Sequence, residues 1–273
     1  MEFFAEYISP FLLAILQGAT EFLPVSSSGH LILLNSLFGT DIGIVFDLVL
    51  HLATLVSVVL FYRREIVEIC GGCFRELGSV RDSSVAKKNL HFVGCLLFAT
   101  VITGTLGLLF NDLVESELRH AGVVGILLIL NAVILWFSQK KGVLSLTSGA
   151  LNVKTAAIIG LVQGLAVLPG ISRSGSTITA ALLLGVSPKD CAKISFLLSI
   201  PVILGAVILH IPDLVAMDGV CWPVLVGASV VAAGVGYGCL VWLDKVLKKA
   251  NFHHFAPYCL VVGIFAVVFG FFM

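Results

Sequence analysis

Residues 256–273, APYCLVVGIFAVVFGFFM, contain no charged side chain, and five other stretches are nearly as apolar: about 43–62, 91–110, 122–138, 194–211 and 221–243. Crossing a bilayer as a helix takes roughly 20 apolar residues, with about 17 as a floor. Each of the six reaches that length, and none leaves room for ordinary soluble packing. Only 12% of the chain is charged and its mean hydropathy is +1.10, against about 25% charged residues in soluble domains. The chain reads as an all-α integral membrane protein, a single polytopic domain over residues 1–273. Its net charge of zero gives no footing for nucleic acid. Glu2 and Glu6 stand where a cleavable leader would carry basic residues, so none is expected. The seven cysteines lie mostly in apolar runs and are odd in number, which argues against a disulfide framework.

Two further apolar segments are interrupted. Residues 7–23 run into Pro24 and are followed by only eight apolar residues, 31–38; residues 155–168 run into Pro169-Gly170 and are followed by 177–187. Each half is too short to cross alone. Both read as re-entrant helical hairpins that enter and leave on one side. The interruptions also resemble each other. Setting 17-QGATEFLPVSSSGHLI-32 against 163-QGLAVLPGISRSGSTI-178 without gaps matches Gln17/Gln163, Gly18/Gly164, Ser26/Ser172, Ser28/Ser174, Gly29/Gly175 and Ile32/Ile178. This is an internal repeat, and repeats at such spacing define architecture.

Lysine and arginine orient the chain. Loops 63–90, 139–154, 188–193 and 244–255 hold fourteen of the sixteen, among them Lys87 and Lys140; the opposite loops hold only Arg119, and Arg173 lies inside the second hairpin. Short cytoplasmic loops are enriched in these residues. The asymmetry holds only if six spans alternate and the hairpins do not cross. The first hairpin then enters from outside and the second from inside. The halves, about 1–140 and 155–273, become repeats of inverted topology, a plan that places the working site where broken helices meet near mid-membrane. The expected fold is six transmembrane helices plus two re-entrant hairpins, with the two polar breaks in contact.

The breaks carry the chemistry. Gln17 and Glu21 are one turn apart on one helical face, and a carboxylate inside a membrane segment is costly enough to mark function. Ser26, Ser27 and Ser28 open the helix after Pro24, where free N–H groups and the helix dipole favour an anion. His30 follows in the first turn, placed for acid–base or nucleophilic work. Arg173 replaces Ser27 in the repeat. A buried arginine must meet an anion, and its fork matches phosphate oxygens; pairing with Glu21 before substrate arrives is compatible with that. Ser172, Ser174 and Thr177 add hydroxyls around it. Asp47 and His51, one turn apart near the outer end of a span, read either as supports of the site or as interfacial residues. Asn131 and His210 read as packing residues, and the charges of 63–90 as a solvated loop.

QGATEFLPVSSSGH and PGISRSGSTI resemble the two signature regions of the undecaprenyl-pyrophosphate phosphatases of bacterial membranes, the bacitracin-resistance type. The resemblance extends over essentially the whole chain, including SFLLSIP at 195–201. It implies hydrolysis of undecaprenyl diphosphate to undecaprenyl phosphate and phosphate on the outer, periplasmic side of the plasma membrane, recycling the carrier lipid for peptidoglycan synthesis. It further implies a divalent cation, Mg²⁺ or Ca²⁺, bound by Glu21 with help from Gln17. Glu21, Ser27, His30 and Arg173 are the implied catalytic group, with Ser26, Ser172, Ser174 and Thr177 as phosphate contacts. The family motif Glu/Gln-x-x-x-Glu reads Gln17…Glu21 here. The residues alone give less: an inverted-repeat membrane protein with a central anion site, a plan that also suits a transporter or flippase. Ser27 as nucleophile with His30 as its base separates the two, because transport has no use for that pair; attack by His30 or by water stays open. Membrane lipids are the expected surroundings, and oligomeric state, a homodimer included, stays open.

Overall fold

The computed structural model describes residues 7–38, 44–78, 84–139, 151–216, 221–248 and 252–272. Lys140, used above to orient the chain, lies outside them. Among the described residues all regular structure is helical: α1 Ser9–Phe22, α2 Ser27–Phe38, α3 Ile44–Phe61, α4 Arg63–Gly78, α5 Ser84–Ser116, α6 Ala121–Trp136, α7 Val153–Leu165, α8 Arg173–Leu183, α9 Pro188–Leu209, α10 Ile211–Val215, α11 Trp222–Lys248 and α12 Ala256–Phe272, with short 3₁₀ turns at Phe137–Gln139 and Phe252–Phe255. Five of these helical stretches are long and apolar enough to cross a membrane, or six with the bent pair of α3 and α4.

Both expected interruptions are present, and each has a local cause. Leu23 ends α1 in extended backbone ahead of Pro24, where the proline ring disfavours helix for the residue before it. Ser26 then adopts φ 68°, a conformation costly to a residue with a Cβ, and accepts the Gly29 N–H at 3.3 Å to start α2. In the second break the positive φ falls on Gly170 (110°), and Ser172 caps α8 by accepting the Gly175 N–H at 3.0 Å. The aligned breaks thus turn at different positions.

The expected solvated loop 63–90 is instead largely helical. At Tyr62 the chain bends by 76° into α4, whose Ile66 and Ile69 lie three apart and pack on the core while Arg63 and Arg64 stay exposed. That spacing makes one apolar face despite the charge density. Lys189 and Lys193, expected in a loop, belong to the first turns of α9, where Pro188 opens the helix and Ser187 caps it.

Helices pair mainly across the two halves of the chain. α1 lies along α11 and α7 along α5; α3 packs on α11 and α9 on α5; α6 packs on α12. Small residues permit these approaches, the usual basis of helix association in lipid. A Cβ on Gly18 would sit 2.6 Å from the Ala232 carbonyl, and one on Gly125 would sit 2.6 Å from the Val267 N. The outer faces carry exposed Val101, Leu109, Ile126, Val230 and Val261, whereas Gln17, Asn131 and Gln163 are buried. Apolar out and polar in is the arrangement a bilayer demands.

Candidate active site

The two breaks touch. Ser26 Oγ of the first accepts the N–H of Gly170 in the second at 3.1 Å. Ser174 Oγ donates to the Leu23 carbonyl at 3.2 Å. Between them stands Asn131 of α6, fully buried. Its Nδ2 donates to the Pro24 carbonyl at 2.9 Å, and its Oδ1 accepts the Ser172 N–H at 3.0 Å. Read from sequence as a packing residue, Asn131 ties one break to the other. Four backbone groups at the chain breaks, the Leu23 and Pro24 carbonyls and the Gly170 and Ser172 N–H, are satisfied in this way, as a membrane interior requires.

Above this junction lies a cavity of about 300 Å³ whose polar lining includes Glu21, Ser26, Ser27, Asp47, His51, Thr103, Arg119, Gln163, Ser172 and Arg173. Glu21 is its hub. Its Oε2 accepts from Gln17 Nε2 at 3.0 Å and from Ser27 Oγ at 2.6 Å, and lies 3.4 Å from His51 Nε2. Its Oε1 is bonded to Arg173 Nη2. Glu21 and Arg173 come from opposite breaks, so the ion pair closes only when the hairpins meet. A carboxylate taken out of water is tolerated when paired and hydrogen-bonded. Arg119, from the connection between α5 and α6, faces Asp47 Oδ2 at 3.5 Å.

Five of the expected residues, Glu21, Ser26, Ser27, Ser172 and Arg173, line the cavity; four do not. Gln17 supports Glu21 from behind. Ser174 is turned to the Leu23 carbonyl. Thr177 donates to the Arg173 carbonyl at 2.8 Å and shares a 2.6 Å contact with Ser195 of α9, one turn away from the cavity. His30 does not meet Ser27. Its Nδ1–H donates to the Ser26 carbonyl at 2.8 Å, which leaves Nε2 to accept from the Tyr258 hydroxyl at 2.8 Å. The expected Ser27–His30 pair is therefore replaced by Ser27–Glu21.

The histidine that does reach the carboxylate is His51. Its Nδ1–H donates to the Asp47 carbonyl at 2.7 Å, which orients the ring with Nε2 3.4 Å from Glu21 Oε2. Asp47 and His51 therefore belong to the site rather than to the interface. Gln163, the repeat partner of Gln17, donates to Thr103 Oγ1 at 3.3 Å; its buried Oε1 has no partner among the described residues. The repeat alignment carried that signal.

A cation between Glu21 and Gln17 does not fit this arrangement. Both carboxylate oxygens are taken by donors, and Gln17 turns its N–H toward the carboxylate rather than its carbonyl. Among the described residues no three His, Cys, Asp or Glu side chains converge as metal ligands.

Two broken helices meeting at a buried Glu–Arg pair, with a serine hydroxyl held on the carboxylate, give a multi-pass membrane protein with a polar site at its centre. The chain belongs to the family described as Bacitracin resistance protein BacA, whose pattern matches residues 10–265. It is 36% identical to the undecaprenyl-diphosphatase of Methanosphaera stadtmanae, an alignment that covers 96% of this chain and 98% of that protein. With the undecaprenyl-diphosphatase of Alcanivorax borkumensis the identity is 39%, covering 95% and 97%, and with that of Oceanobacillus iheyensis 36%, covering 95% of each.

Proposed function

We propose that the cavity is where undecaprenyl diphosphate loses its terminal phosphate, so that the chain is an undecaprenyl-diphosphatase that returns the carrier lipid to cell-wall synthesis. The observation that carries the reading is Ser27 Oγ held at 2.6 Å on Glu21, opposite Arg173. A transporter needs anion ligands but not a hydroxyl held on a carboxylate, and the relatives are named for hydrolysis.

In this reading the terminal phosphate displaces Glu21 from part of the Arg173 fork and is gripped by that guanidinium. N–H groups at the start of α8, around Ser172, add to the grip. Ser27 Oγ attacks the terminal phosphorus and its proton passes to Glu21. The bridging P–O bond breaks, and the electron pair leaves with the prenyl monophosphate. Water then cleaves the phosphoserine: its oxygen bonds to phosphorus as the Ser27 Oγ–P bond breaks, Ser27 Oγ recovers the proton held on Glu21, and His51 Nε2 is placed to take the water's proton. Arg173 stabilises the charge spread over the equatorial oxygens, the main task in phosphoryl transfer. A divalent cation would neutralise the diphosphate as its counter-ion rather than sit between Glu21 and Gln17; no step above depends on it.

The architecture we propose around this site is six spans and two re-entrant hairpins in an inverted repeat. The exchange of partners between halves, α1 with α11 and α7 with α5, supports it. The basic residues of α4, early α5 and early α9 argue for a cytoplasmic position of those ends, and in that orientation the cavity, beside Arg119, faces the periplasmic side. Phosphate release from a polyprenyl diphosphate by the purified protein tests the reading. Turnover is expected for the wild type, lower with chelator, and absent for Ser27→Ala; no release by the wild type in either condition refutes it.

A further inference from the structure

Arg119 is absorbed neither by the sequence motifs nor by the mechanism above. It is the only lysine or arginine between α5 and α6. It lines the same cavity as Arg173, yet from a different element and a shallower position. Its side chain is 32% exposed, against 19% for Arg173. Each arginine is held by one carboxylate, Arg173 by Glu21 and Arg119 by Asp47. Helix α3 sets the offset between the two pairs. His51 contacts Glu21, and Asp47 precedes it by four residues, about 6 Å along the axis. The cavity thus has an inner cation beside Ser27 and an outer cation one helical turn toward the mouth.

Two cations at successive depths match two phosphates joined through one oxygen. The inner one is committed to the phosphate that Ser27 attacks. We propose that Arg119 binds the other, the lipid-side phosphate, and carries the charge that appears on it when the bridging bond breaks. The inference rests on the phosphatase reading given above. In the step itself the Ser27 Oγ–P bond forms, the bridging O–P bond breaks, and its electron pair stays on the departing prenyl phosphate, where the Arg119 fork lies. The 3.5 Å contact to Asp47 is longer than a good hydrogen bond; it parks the guanidinium near the mouth and yields when a dianionic phosphate arrives. Arg119 then also favours diphosphate over monophosphate substrates, because a monophosphate fills only one of the two positions.

The test uses full-length protein in detergent micelles, farnesyl diphosphate as substrate, and farnesyl monophosphate and orthophosphate as separate inhibitors. Arg119→Gln is expected to raise KM for the diphosphate and Ki for farnesyl monophosphate together, by about 10–100-fold, the usual scale for losing a charged hydrogen bond. The Ki of orthophosphate, which reads the Arg173 position, is expected to stay within about twofold on that same scale. Arg119→Lys, a point charge without the fork, is expected to fall between. Asp47→Asn frees the guanidinium without removing it and leaves the monophosphate Ki unchanged or lower. If Arg119→Gln leaves the farnesyl monophosphate Ki unchanged, or raises both Ki values equally, Arg119 only staples the connection to α3 and the proposal fails. Should Arg119→Gln not fold, Arg119→Lys decides by the same ratio of Ki values. Failure of the wild type to hydrolyse farnesyl diphosphate would strike the phosphatase reading instead, a separate outcome.

Discussion

Asn131 bonds to both hairpins at once, and removing it has a calculable cost. In Asn131→Ala the Pro24 carbonyl loses its 2.9 Å donor and the Ser172 N–H loses its 3.0 Å acceptor, both in the interior. A buried polar group left unpaired costs about 1–3 kcal/mol, so two give about 2–6. The Cys259 thiol, 3.6 Å from the Pro24 carbonyl, keeps a weak contact there, which puts the expected loss near the lower part, about 2–4 kcal/mol. Activity should fall as well. Ser172 directly precedes Arg173, and a shift of about 1 Å in a positioned group costs roughly 10²-fold. Unfolding by SDS titration in mixed micelles measures the first quantity, and phosphate release the second. Asn131→Asp keeps the acceptor for Ser172 but sets a carboxylate oxygen against the Pro24 carbonyl, so it should be no better than alanine in stability. A loss below about 0.5 kcal/mol with full activity, well under the cost of even one unpaired group, would refute the claim that Asn131 joins the breaks.

Other perturbations follow from the same contacts. Arg173→Lys keeps the charge but not the fork, and should lose at least about 10²-fold in turnover; near wild-type rates would make Arg173 a structural counter-charge. Gly125→Ala forces a Cβ to 2.6 Å from the Val267 N and 2.7 Å from the Gly263 carbonyl, both backbone, so it should destabilise by about 1–3 kcal/mol, the overpacking scale; an unchanged unfolding midpoint would mean that α6 and α12 separate at no cost. Single-cysteine labelling in intact cells should protect position 87 and label position 117. Outside labelling at 87 would overturn the orientation and with it the inverted repeat.

Much of this architecture was legible because the bilayer imposes simple rules. Apolar length marked α3, α5, α6, α9, α11 and α12, and Pro24 and Pro169-Gly170 marked the breaks. What sequence hid was long-range or geometric. His30 lies three positions after Ser27, a spacing that suggests one shared face; yet its ring is claimed by the Ser26 carbonyl and by Tyr258, 228 residues away, and no local pattern signals that. Arg119 looked like an ordinary loop charge until folding set it in the cavity with Asp47. The pair Asp47 and His51 did carry a signal, its one-turn spacing, but only the approach of Glu21 gave it a role. Helix α4 was obscured by its charges, since charge density argues for loop while the three-residue spacing of Ile66 and Ile69 argues for a face.

The central claim is that Ser27, activated by Glu21, takes the phosphoryl group. Rapid-quench reaction with a polyprenyl diphosphate labelled in its terminal phosphate, followed by peptide mass spectrometry, tests it directly. The label is expected on Ser27, in amounts that rise when the water step is slowed by His51→Gln and vanish in Ser27→Ala. Label on His30, or single-turnover release of phosphate with no labelled peptide at any quench time, would contradict the account.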